Sequence, residues 1–520
     1  MPAQRALLLA FLLSWLPLLE GAKILTITLL GGSHNLLMDR VSQILQDHGH
    51  DVTYLQLSEP HFSSGFKREE KYQVVRWSPP EDYKQEFKKY IDFFLKESFL
   101  GRNSFTSFLK LIKLLATQCG HLLRRTDIIG PLKNESFDLL VVDGTDSCAF
   151  LIAEKLGRLL VAVLPLTFGA KGFGLPEPVS YVPVFDSLLT DHMDFWGRVT
   201  NFLLLFISAW REWCVSAQFD DTIREHFPED SRPVLSHLRQ KAELWFVNSD
   251  FAFDFARPLL PNTVYIGGLM SKPVEPIPPE FEKFIARFGD AGFVLVALGS
   301  SVDIIPSQVL KEMNRAFGQL PQGVIWKCSP SQWPKDVTLA ANVKIVDWLP
   351  QNDLLAHPSI RLFVTHGGLN SVMESIQHGV PMVAIPLFID QPGNVIRVVA
   401  KNLGVSILVE KLTAETLALK MKHVIGDKRY KSAAVAASII RRSHPLTPAQ
   451  RLVGWIDHIL QTGGAAHLKP HAFQQPWYEQ YLLDVLLFLL VLTLGTAWLC
   501  GKLLRLAARW LCGAGKLKRA

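Results

Sequence analysis

Short apolar runs alternate along this chain with stretches whose apolar residues recur at helical spacing. Residues 23–30 alternate between apolar and polar positions and are rich in β-branched side chains, which predicts a strand. A turn at Gly31 and Gly32 follows, and then an amphipathic helix that ends near Gly49. Further strands are predicted at 137–142, 159–165, 243–248, 293–298, 324–327, 343–346, 361–365 and 382–385. Strands that alternate with helices predict an α/β fold of two Rossmann-like halves.

The N-terminal residues predict a secretory signal peptide over 1–22. Arg5 precedes an apolar core from 6 to 19, and the small residues Gly21 and Ala22 follow it. Glu20 is a poor residue close to the expected cut, so the cleavage position stays open. A retained membrane anchor is the weaker alternative, because the apolar core is short for a span.

A second apolar run predicts a transmembrane helix over 482–502. Residues 482–500 contain one charged residue, Asp484, and a basic tail follows at 503–520. The positive-inside rule places that tail in the cytosol and the body of the protein in the lumen. Lys516 and Lys518 resemble an endoplasmic-reticulum retrieval signal. We therefore expect a single-pass type I protein of the endoplasmic reticulum membrane.

Composition narrows the classes of function. The chain has 520 residues and a formal net charge of +6. Six basic residues and no acidic residue lie after residue 500, so the rest of the chain carries no net charge. This distribution argues against a nucleic-acid partner. The six cysteines lack metal-site spacing, and one disulfide among Cys119, Cys148, Cys214 and Cys328 stays open but unassigned.

Two candidate catalytic residues lie where strands of the first half end. His34 follows the first glycine turn, and Asp143 follows the strand at 137–142. A carboxylate beside a histidine orients the ring and stabilises the imidazolium. A structural histidine is the commoner finding at such a turn, and Asp146 is an alternative carboxylate that also fits a helix cap. The turn lacks a complete GxGxxG, so no dinucleotide cofactor is expected.

Three further segments elaborate the first half. Residues 62–118 are charged and aromatic with helical periodicity, which predicts a helical insertion. Asn134 begins the only N-glycosylation sequon, which fits a lumenal surface loop. Residues 186–215 are rich in Phe, Leu and Trp and predict helices that line an apolar pocket or touch a membrane face, with an ordinary core helix as the alternative.

The segment 348–391 carries the most chemistry per residue. A His-Gly-Gly turn at 366–368 joins a buried strand to a helix, and backbone N–H groups at such a turn can approach an anion. Asn370 and Ser371 fall where that helix begins, so either caps it or contacts the anion. Ser300 follows another strand and is placed to reach the same anion. An ordinary βαβ unit with a glycine turn is the plainer interpretation of the turn alone.

The spacing of the whole segment changes that interpretation, because it resembles the 44-residue donor box of the UDP-glycosyltransferases. The resemblance covers nearly the entire chain and is greatest to the third family of animal UDP-glycosyltransferases, relatives of the glucuronosyltransferases. It implies a GT-B fold, in which two Rossmann-like halves face a cleft, and a catalytic base at His34 partnered by Asp143. It implies donor contacts by Trp348 and Gln351 on the nucleoside, by His366, Gly368, Asn370 and Ser371 on the pyrophosphate, by Glu374 on the ribose, and by Asp390 and Gln391 on the sugar.

The domain organisation expected from these features has seven parts. They are the signal peptide 1–22, an acceptor-binding half 23–270, a linker 271–284, a UDP-sugar-binding half 285–465, a juxtamembrane segment 466–481, the transmembrane helix 482–502 and the tail 503–520. The proline- and glycine-rich stretch at 265–279 indicates the boundary between the halves. The resemblance also implies that the final helices cross back to the first half.

The function expected is inverting transfer of a sugar from a UDP-sugar to a hydroxyl of a small lipophilic acceptor, as in xenobiotic, steroid or bile-acid conjugation. Phe388 offers an apolar wall, which favours glucose or xylose over N-acetylglucosamine. Glucuronic acid remains an alternative donor sugar because of Arg257, since a cation would pair with the carboxylate of that sugar. No metal or other cofactor is expected, because the UDP-sugar is a co-substrate and the anion site would stabilise the leaving UDP.

Two alternatives of other classes stay open. One is a non-catalytic membrane-anchored partner that regulates related transferases, which would show a broken donor box or a missing base. The other is a different GT-B enzyme, such as a sugar-nucleotide epimerase. The expected partners are the UDP-sugar, the acceptor and the membrane, with homo- or hetero-oligomers of related transferases left open.

Overall fold

A computed structural model of the chain describes residues 21–58, 71–166, 170–300, 302 and 304–516. Most of the predicted signal peptide, residues 1–20, lies outside the described residues. The chain forms two compact units, one that ends at Ala466 and one that begins at His467. The first unit contains two parallel sheets, which we call the first half (strands β1–β7) and the second half (strands β8–β13).

The first half is a seven-stranded parallel sheet in the order β3-β2-β1-β4-β5-β6-β7. Its strands are β1 (Lys23–Thr28), β2 (Asp51–Leu57), β3 (Gln73–Trp77), β4 (Leu139–Asp143), β5 (Leu160–Leu164), β6 (Trp245–Val247) and β7 (Thr263–Tyr265). Its helices are α1 (Gly32–Asp47), α2 (Glu81–Phe99), α3 (Phe105–Leu123), α4 (Thr126–Asn134), α5 (Ser147–Leu156), α6 (Phe195–Ala217), α7 (Asp220–His226) and α8 (Leu235–Lys241). Strands β4 and β5 are buried throughout, which fits their continuous apolar sequences.

The second half is a six-stranded parallel sheet in the order β10-β9-β8-β11-β12-β13. Its strands are β8 (Phe293–Ala297), β9 (Gly323–Lys327), β10 (Val343–Val346), β11 (Ile360–Thr365), β12 (Met382–Ala384) and β13 (Gly404–Ser406). Its helices are α9 (Pro279–Ala286), α10 (Ser307–Phe317), α11 (Gln351–Ala356), α12 (Leu369–Gln377), α13 (Gln391–Ala400), α14 (Ala414–Gly426) and α15 (Lys428–Arg442).

Both sheets reverse their strand order at one point. The reversal lies between β1 and β4 in the first half and between β8 and β11 in the second. Loops that leave the carboxyl ends of such strands run in opposite directions and open a crevice, where ligands bind in open α/β sheets. The two-halved Rossmann-like architecture is therefore confirmed, and the candidate residues at 34, 143, 300 and 366 all lie at these reversals.

A helix after the second sheet connects the two halves. Helix α16 (Pro448–Thr462) begins at a capping box formed by Thr447 and Gln450. Its Asp457 contacts the first half, where His48 Nε2 lies 3.0 Å and His50 Nε2 3.3 Å from the carboxylate. The expectation that a final helix crosses back to the first half agrees with these contacts.

Two predicted segment boundaries fall inside helices. Helix α9 begins within the predicted linker 271–284, at Pro279, and buries Phe281 and Phe284 in the core of the second half. Proline at the first helical position starts this helix favourably. Helix α18 (Leu483–Lys516) contains almost all of the predicted span 482–502 and continues through most of the basic tail.

The second unit is described by itself. It contains short 3₁₀ turns (one at His471–Gln474), the one-turn helix α17 (Trp477–Gln480) and helix α18. Within α18 the stretch Leu483–Trp510 is long and apolar enough to span a membrane. A span needs about 20 apolar residues, so the helix is long enough to cross with some tilt.

A disulfide joins Cys119 of α3 to Cys148 of α5. This settles the pairing that the sequence left unassigned, while Cys214, Cys328 and Cys500 are free. Both bonded cysteines are buried, and Cys148 lies in the first turn of the helix that follows Asp143 and Asp146.

We expect the double variant Cys119→Ala with Cys148→Ala to be about 3–4 kcal/mol less stable, because the bond closes a loop with a sequence separation of 29. Denaturant unfolding of the full chain in detergent measures this loss. The control is the half-buried free thiol of Cys214. The free energy of unfolding of Cys214→Ala should lie within about 1 kcal/mol of the wild-type value. Equal stability of all three proteins would contradict the bond.

Candidate active site

The catalytic corner of the first half is built around the carboxylate of Asp143. Asp143 is the last residue of β4 and is fully buried. Its Oδ1 accepts hydrogen bonds from the backbone N–H and the hydroxyl of Thr145, at 2.9 and 2.7 Å. Its Oδ2 accepts from the hydroxyl of Thr28, at 3.1 Å. Burial alone would raise the pKa of Asp143, but His34 and the hydrogen bonds outweigh it and hold the pKa below its usual value.

His34 lies in the first turn of α1, where Gly31 and Gly32 bring the chain round from β1. Its Nδ1 lies 2.7 Å from Asp143 Oδ2. A carboxylate only accepts, so Nδ1 carries the proton and Nε2 is left as the basic nitrogen. Burial lowers the pKa of His34, but the Asp143 carboxylate outweighs burial, and the net pKa lies above the usual 6.5.

The alternative carboxylate, Asp146, has a structural role. It is the N-cap of α5, and its side chain accepts from the backbone N–H of Cys148 at 3.0 Å and of Leu29 at 2.8 Å. Burial and the nearby Asp143 charge raise its pKa to about 7. The helix-cap interpretation of Asp146 therefore agrees with the structure, and Asp143 is the partner of His34.

The predicted anion cradle lies at the corresponding reversal of the second half. His366 follows β11 and packs against two glycines, so that a Cβ at Gly299 or Gly368 would lie 2.6 or 2.4 Å from its ring. Gly299 also has a left-handed backbone, with φ of 95°. Helix α12 starts here with Gly368 as its N-cap and without a side-chain cap. Its first N–H groups therefore face the position predicted for the pyrophosphate.

Neither Asn370 nor Ser371 caps this helix. The Oδ1 of Asn370 accepts from Asn248 Nδ2 of the first half at 2.7 Å. The Oγ of Ser371 lies 3.3 Å from Gln351 Nε2. Of the two roles left open by the sequence, capping is therefore excluded.

The predicted nucleoside side of the site contains the half-buried carboxylate of Glu374. Gln351 Nε2 donates to Glu374 Oε2 at 2.9 Å, and burial raises the pKa of Glu374 to about 7. Lys327 Nζ lies 5.1 Å from the centre of the Trp348 ring. Trp348, Gln351 and Glu374, which the family pattern assigns to the base and the ribose, thus lie at one end of the cleft.

The predicted sugar end of the site, which we call the sugar end, is formed by the turn before α13. Asp390 Oδ2 accepts from Asn394 Nδ2 at 2.7 Å. Gln391 Oε1 accepts from the backbone N–H groups of Leu387 and Phe388, at 2.9 and 3.1 Å. The negative charge of Asp390 contributes to the raised pKa of His34, so the sugar end and the catalytic corner are electrostatic neighbours.

One cavity of about 2020 Å³ joins these parts and is lined by both halves. Its lining includes His34, Ser300, Trp348, Gln351, His366, Gly368, Asn370, Ser371, Glu374, Phe388, Asp390 and Gln391. Asp143 lies behind His34 and does not line the cavity. Arg257 is not a lining residue either, because it is buried beside Glu177 at 3.8 Å. The predicted glycan site, Asn134, is exposed at the end of α4.

The structure of helix α6 excludes one alternative for the segment 186–215, the ordinary core helix. Asn201 is the only buried residue of this helix, so it is not an ordinary core helix. Leu204 and Ile207 line the cavity, and Trp196 and Trp213 are exposed by 70% and 68%. The helix therefore offers one set of apolar side chains to the cavity and another to its surroundings.

The sequence reasoning missed Lys327. Its Nζ donates to the Gly299 carbonyl at 2.8 Å, and its charge adds to burial in lowering the pKa of His366 to about 4. Lys327 lies at the carboxyl end of a strand that was predicted, so its position beside the cradle could have been inferred. Thr28 and Thr145, which hold Asp143, carry no such signal.

Comparison with known proteins agrees with this geometry. A family model described as "UDP-glucoronosyl and UDP-glucosyl transferase" matches residues 22–518. UDP-glucuronosyltransferase 3A1 of Bos taurus is 68% identical over 523 residues, which cover 100% of both chains. UDP-glucuronosyltransferase 3A2 of Homo sapiens is 67% identical over 521 residues, again covering 100% of both.

A solved structure shares the fold. The crystal structure of CalG4, the calicheamicin glycosyltransferase, superimposes with a TM-score of 0.59 and 19% sequence identity, covering 85% of this chain and 99% of that chain. That likeness shows the two-halved glycosyltransferase fold alone, whereas the family match and the high identities show membership. The chain therefore belongs to the UDP-glucuronosyl- and UDP-glucosyltransferase family and is a glycosyltransferase.

Proposed function

We propose that this protein transfers a sugar from a UDP-sugar to a hydroxyl of a small lipophilic acceptor, with inversion at the anomeric carbon. The observation that carries the proposal is the His34–Asp143 pair, which opens on the same cavity as the complete donor segment. A regulatory partner without activity would need neither a buried carboxylate to orient the histidine nor an intact cradle. The pair therefore favours catalysis.

The proposed reaction uses His34 Nε2 as a general base. It takes the proton of the acceptor hydroxyl while the oxygen attacks the anomeric carbon from the face opposite the UDP. The bond from that carbon to the UDP oxygen breaks, and its electron pair leaves with the UDP. Asp143 stabilises the imidazolium that forms, and general-base catalysis of this kind contributes about 10²–10⁴-fold.

Groups of the second half stabilise the negative charge that develops on the leaving UDP. The uncapped N–H groups of α12 face it, and Lys327 adds a full positive charge nearby. His366 is neutral at physiological pH, because burial and Lys327 lower its pKa to about 4, so it donates one hydrogen bond rather than a charge. These groups support transfer without a metal ion.

The donor sugar proposed is glucose or xylose. Phe388 presents an apolar ring beside Asp390 and packs edge-on against Phe94 of the first half, with ring centres 6.0 Å apart. An apolar wall offers nothing to the acetamido group of N-acetylglucosamine. The relatives carry glucuronosyltransferase names, but Arg257, the cation considered for a glucuronate carboxylate, pairs with Glu177 away from the cavity lining.

The location proposed is the endoplasmic reticulum membrane, with the two halves in the lumen. The Cys119–Cys148 disulfide fits an oxidising compartment, and the exposed Asn134 is accessible to glycosylation. The apolar helix Leu483–Trp510 supplies the single span. The apolar side chains of Leu204, Ile207 and Phe105 around the cavity favour a lipophilic acceptor.

The function is tested first at the base. His34→Ala should lower kcat by about 10²–10⁴-fold with little change in UDP affinity, because UDP binds in the other half. Steady-state kinetics with UDP-glucose and a lipophilic phenol, beside calorimetric titration with UDP, measure both. Asp143→Asn should act in the same way but less severely, and Asp146→Asn should mainly lower stability. Normal turnover of His34→Ala would remove this histidine from the mechanism.

The pH dependence follows from the His34–Asp143 pair. The base must be neutral to accept a proton, so kcat falls as the pH drops through the pKa of His34. Asp143 raises that pKa, so the acid limb of the wild-type profile should have its midpoint above the usual 6.5. In Asp143→Asn burial still lowers the pKa and the carboxylate is gone, so the midpoint should move to lower pH. An unchanged midpoint would contradict the pairing.

The donor choice is tested at the sugar end. Phe388→Asn replaces the apolar wall by an amide and should change which UDP-sugar gives the highest kcat/KM. Glu374→Ala, at the ribose, should instead raise the KM of every UDP-sugar by a similar factor. Relative kcat/KM values for UDP-glucose, UDP-xylose, UDP-N-acetylglucosamine and UDP-glucuronic acid separate the two effects. An unchanged ranking in Phe388→Asn would show that this position lies outside the sugar pocket.

A further inference from the structure

The end of helix α2 and the turn after it belong to the first half by sequence but contact the second half. We call residues 94–103 the contact segment. Phe99 of this segment is 4% exposed and lies in the hydrophobic core of the second half, in one cluster with Leu387 and Val409. Gly101 has a φ of 68°, and a Cβ there would lie 3.1 Å from Glu410 Oε2. From Phe99 onward the segment is therefore docked on the second half, while Phe94 also packs in a cluster of the first half with Tyr90 and Leu111.

Its polar contact is made at the sugar end of the donor site. Asn103 Nδ2 donates to the backbone carbonyl of Leu387 at 2.6 Å. The other end of the amide, Asn103 Oδ1, lies 2.7 Å from the hydroxyl of the fully buried Ser98, whose single proton is shared between Asn103 Oδ1 and the Phe94 carbonyl at 2.8 Å. Both ends of the amide are thus engaged, which fixes its orientation. The N–H group of Leu387 is held from the other side by Gln391 Oε1.

The loop that receives this bond has a backbone that needs support. Ile389, between Phe388 and Asp390, has a φ of 56°. A β-branched side chain in the left-handed region is a genuine outlier, and such a conformation costs about 1–3 kcal/mol. Such a backbone conformation persists only where several neighbouring contacts hold it in place. Here those contacts are the bonds of Gln391 and Asn394 from within the second half and of Asn103 from the first.

We propose that Asn103 is a positioning residue for the donor sugar, acting through the Leu387 carbonyl to hold the loop 387–391 in its strained form. Phe94 provides a second contact to this loop, since its ring packs edge-on against Phe388. A residue of the acceptor-binding half then helps to set affinity for the sugar portion of the donor. The inference rests on the proposed function, because it takes Asp390 and Gln391 as the sugar contacts.

The test compares binding of UDP with binding of UDP-glucose. Asn103→Asp keeps the shape and still accepts from Ser98, but it cannot donate to Leu387, and its charge faces a carbonyl oxygen. We expect the dissociation constant of UDP-glucose to rise about 3- to 10-fold, with that of UDP unchanged within about 2-fold. Calorimetric titration of the full chain in detergent measures both constants, and the melting temperature is recorded beside them.

A matched control is another side-chain amide that donates to backbone carbonyls, this one in the second half. Asn342 Nδ2 donates to the carbonyls of Phe317, Leu320 and Gln322, away from the donor loop. Asn342→Asp should lower the melting temperature and leave the ratio of the two dissociation constants at its wild-type value. This variant reports what the loss of a structural amide does without contact to residue 387.

The outcomes separate the inference from the function on which it rests. An unchanged ratio of the two constants in Asn103→Asp, or equal weakening of UDP and UDP-glucose, would overturn the positioning role. Wild-type protein that binds UDP-glucose but transfers no sugar to any acceptor would instead overturn the proposed function, and the binding comparison would still decide the role of Asn103.

Discussion

A buried carboxylate must be hydrogen-bonded or neutralised, and the first half is arranged so that Asp143 meets this requirement. It lies at the end of a central strand with no exposed surface, and Thr28, Thr145 and His34 supply its hydrogen bonds. Because the charge is costly without these partners, any shift of β1 against β4 would cost stability as well as alignment. The orientation of the His34 imidazole is therefore tied to the pairing of two neighbouring strands.

The two histidines at the strand-order reversals show how position decides chemistry. His34 and His366 each lie half-buried at the corresponding place of their sheet, and the loss of water around them lowers the pKa of both. Beside His34 stands a carboxylate, which raises the pKa and prepares the ring to accept a proton. Beside His366 stands the cation of Lys327, which lowers the pKa to about 4 and keeps the ring neutral. The proposed base and the proposed hydrogen-bond donor for the anion thus differ in the charge that lies beside each ring.

The residues that sequence reasoning found are those at the ends of strands. His34, Asp143, His366 and Ser300 follow apolar runs, and the carboxyl ends of parallel strands must meet at one edge. Local patterns also separated Asp146 as a helix cap. They missed Lys327, although its strand was recognised. Arg257 was judged by its charge alone, and only its burial beside Glu177 shows that the charge is used elsewhere.

Contacts between the two halves could not be predicted from the sequence, and the reason is physical. The amide of Asn103 meets the carbonyl of Leu387, and that of Asn248 meets Asn370, across separations of 284 and 122 residues. No periodicity or motif records such pairs, because the partners lie far apart in sequence and the contact at Leu387 is made by a backbone carbonyl. The bond at Leu387 nevertheless helps to hold the backbone that leads to the proposed sugar contacts, Asp390 and Gln391. If the second half were transplanted onto another first half, it would keep the whole donor segment but lose the bond at Leu387. Such a chimera should therefore keep more of its affinity for UDP than of its affinity for the sugar.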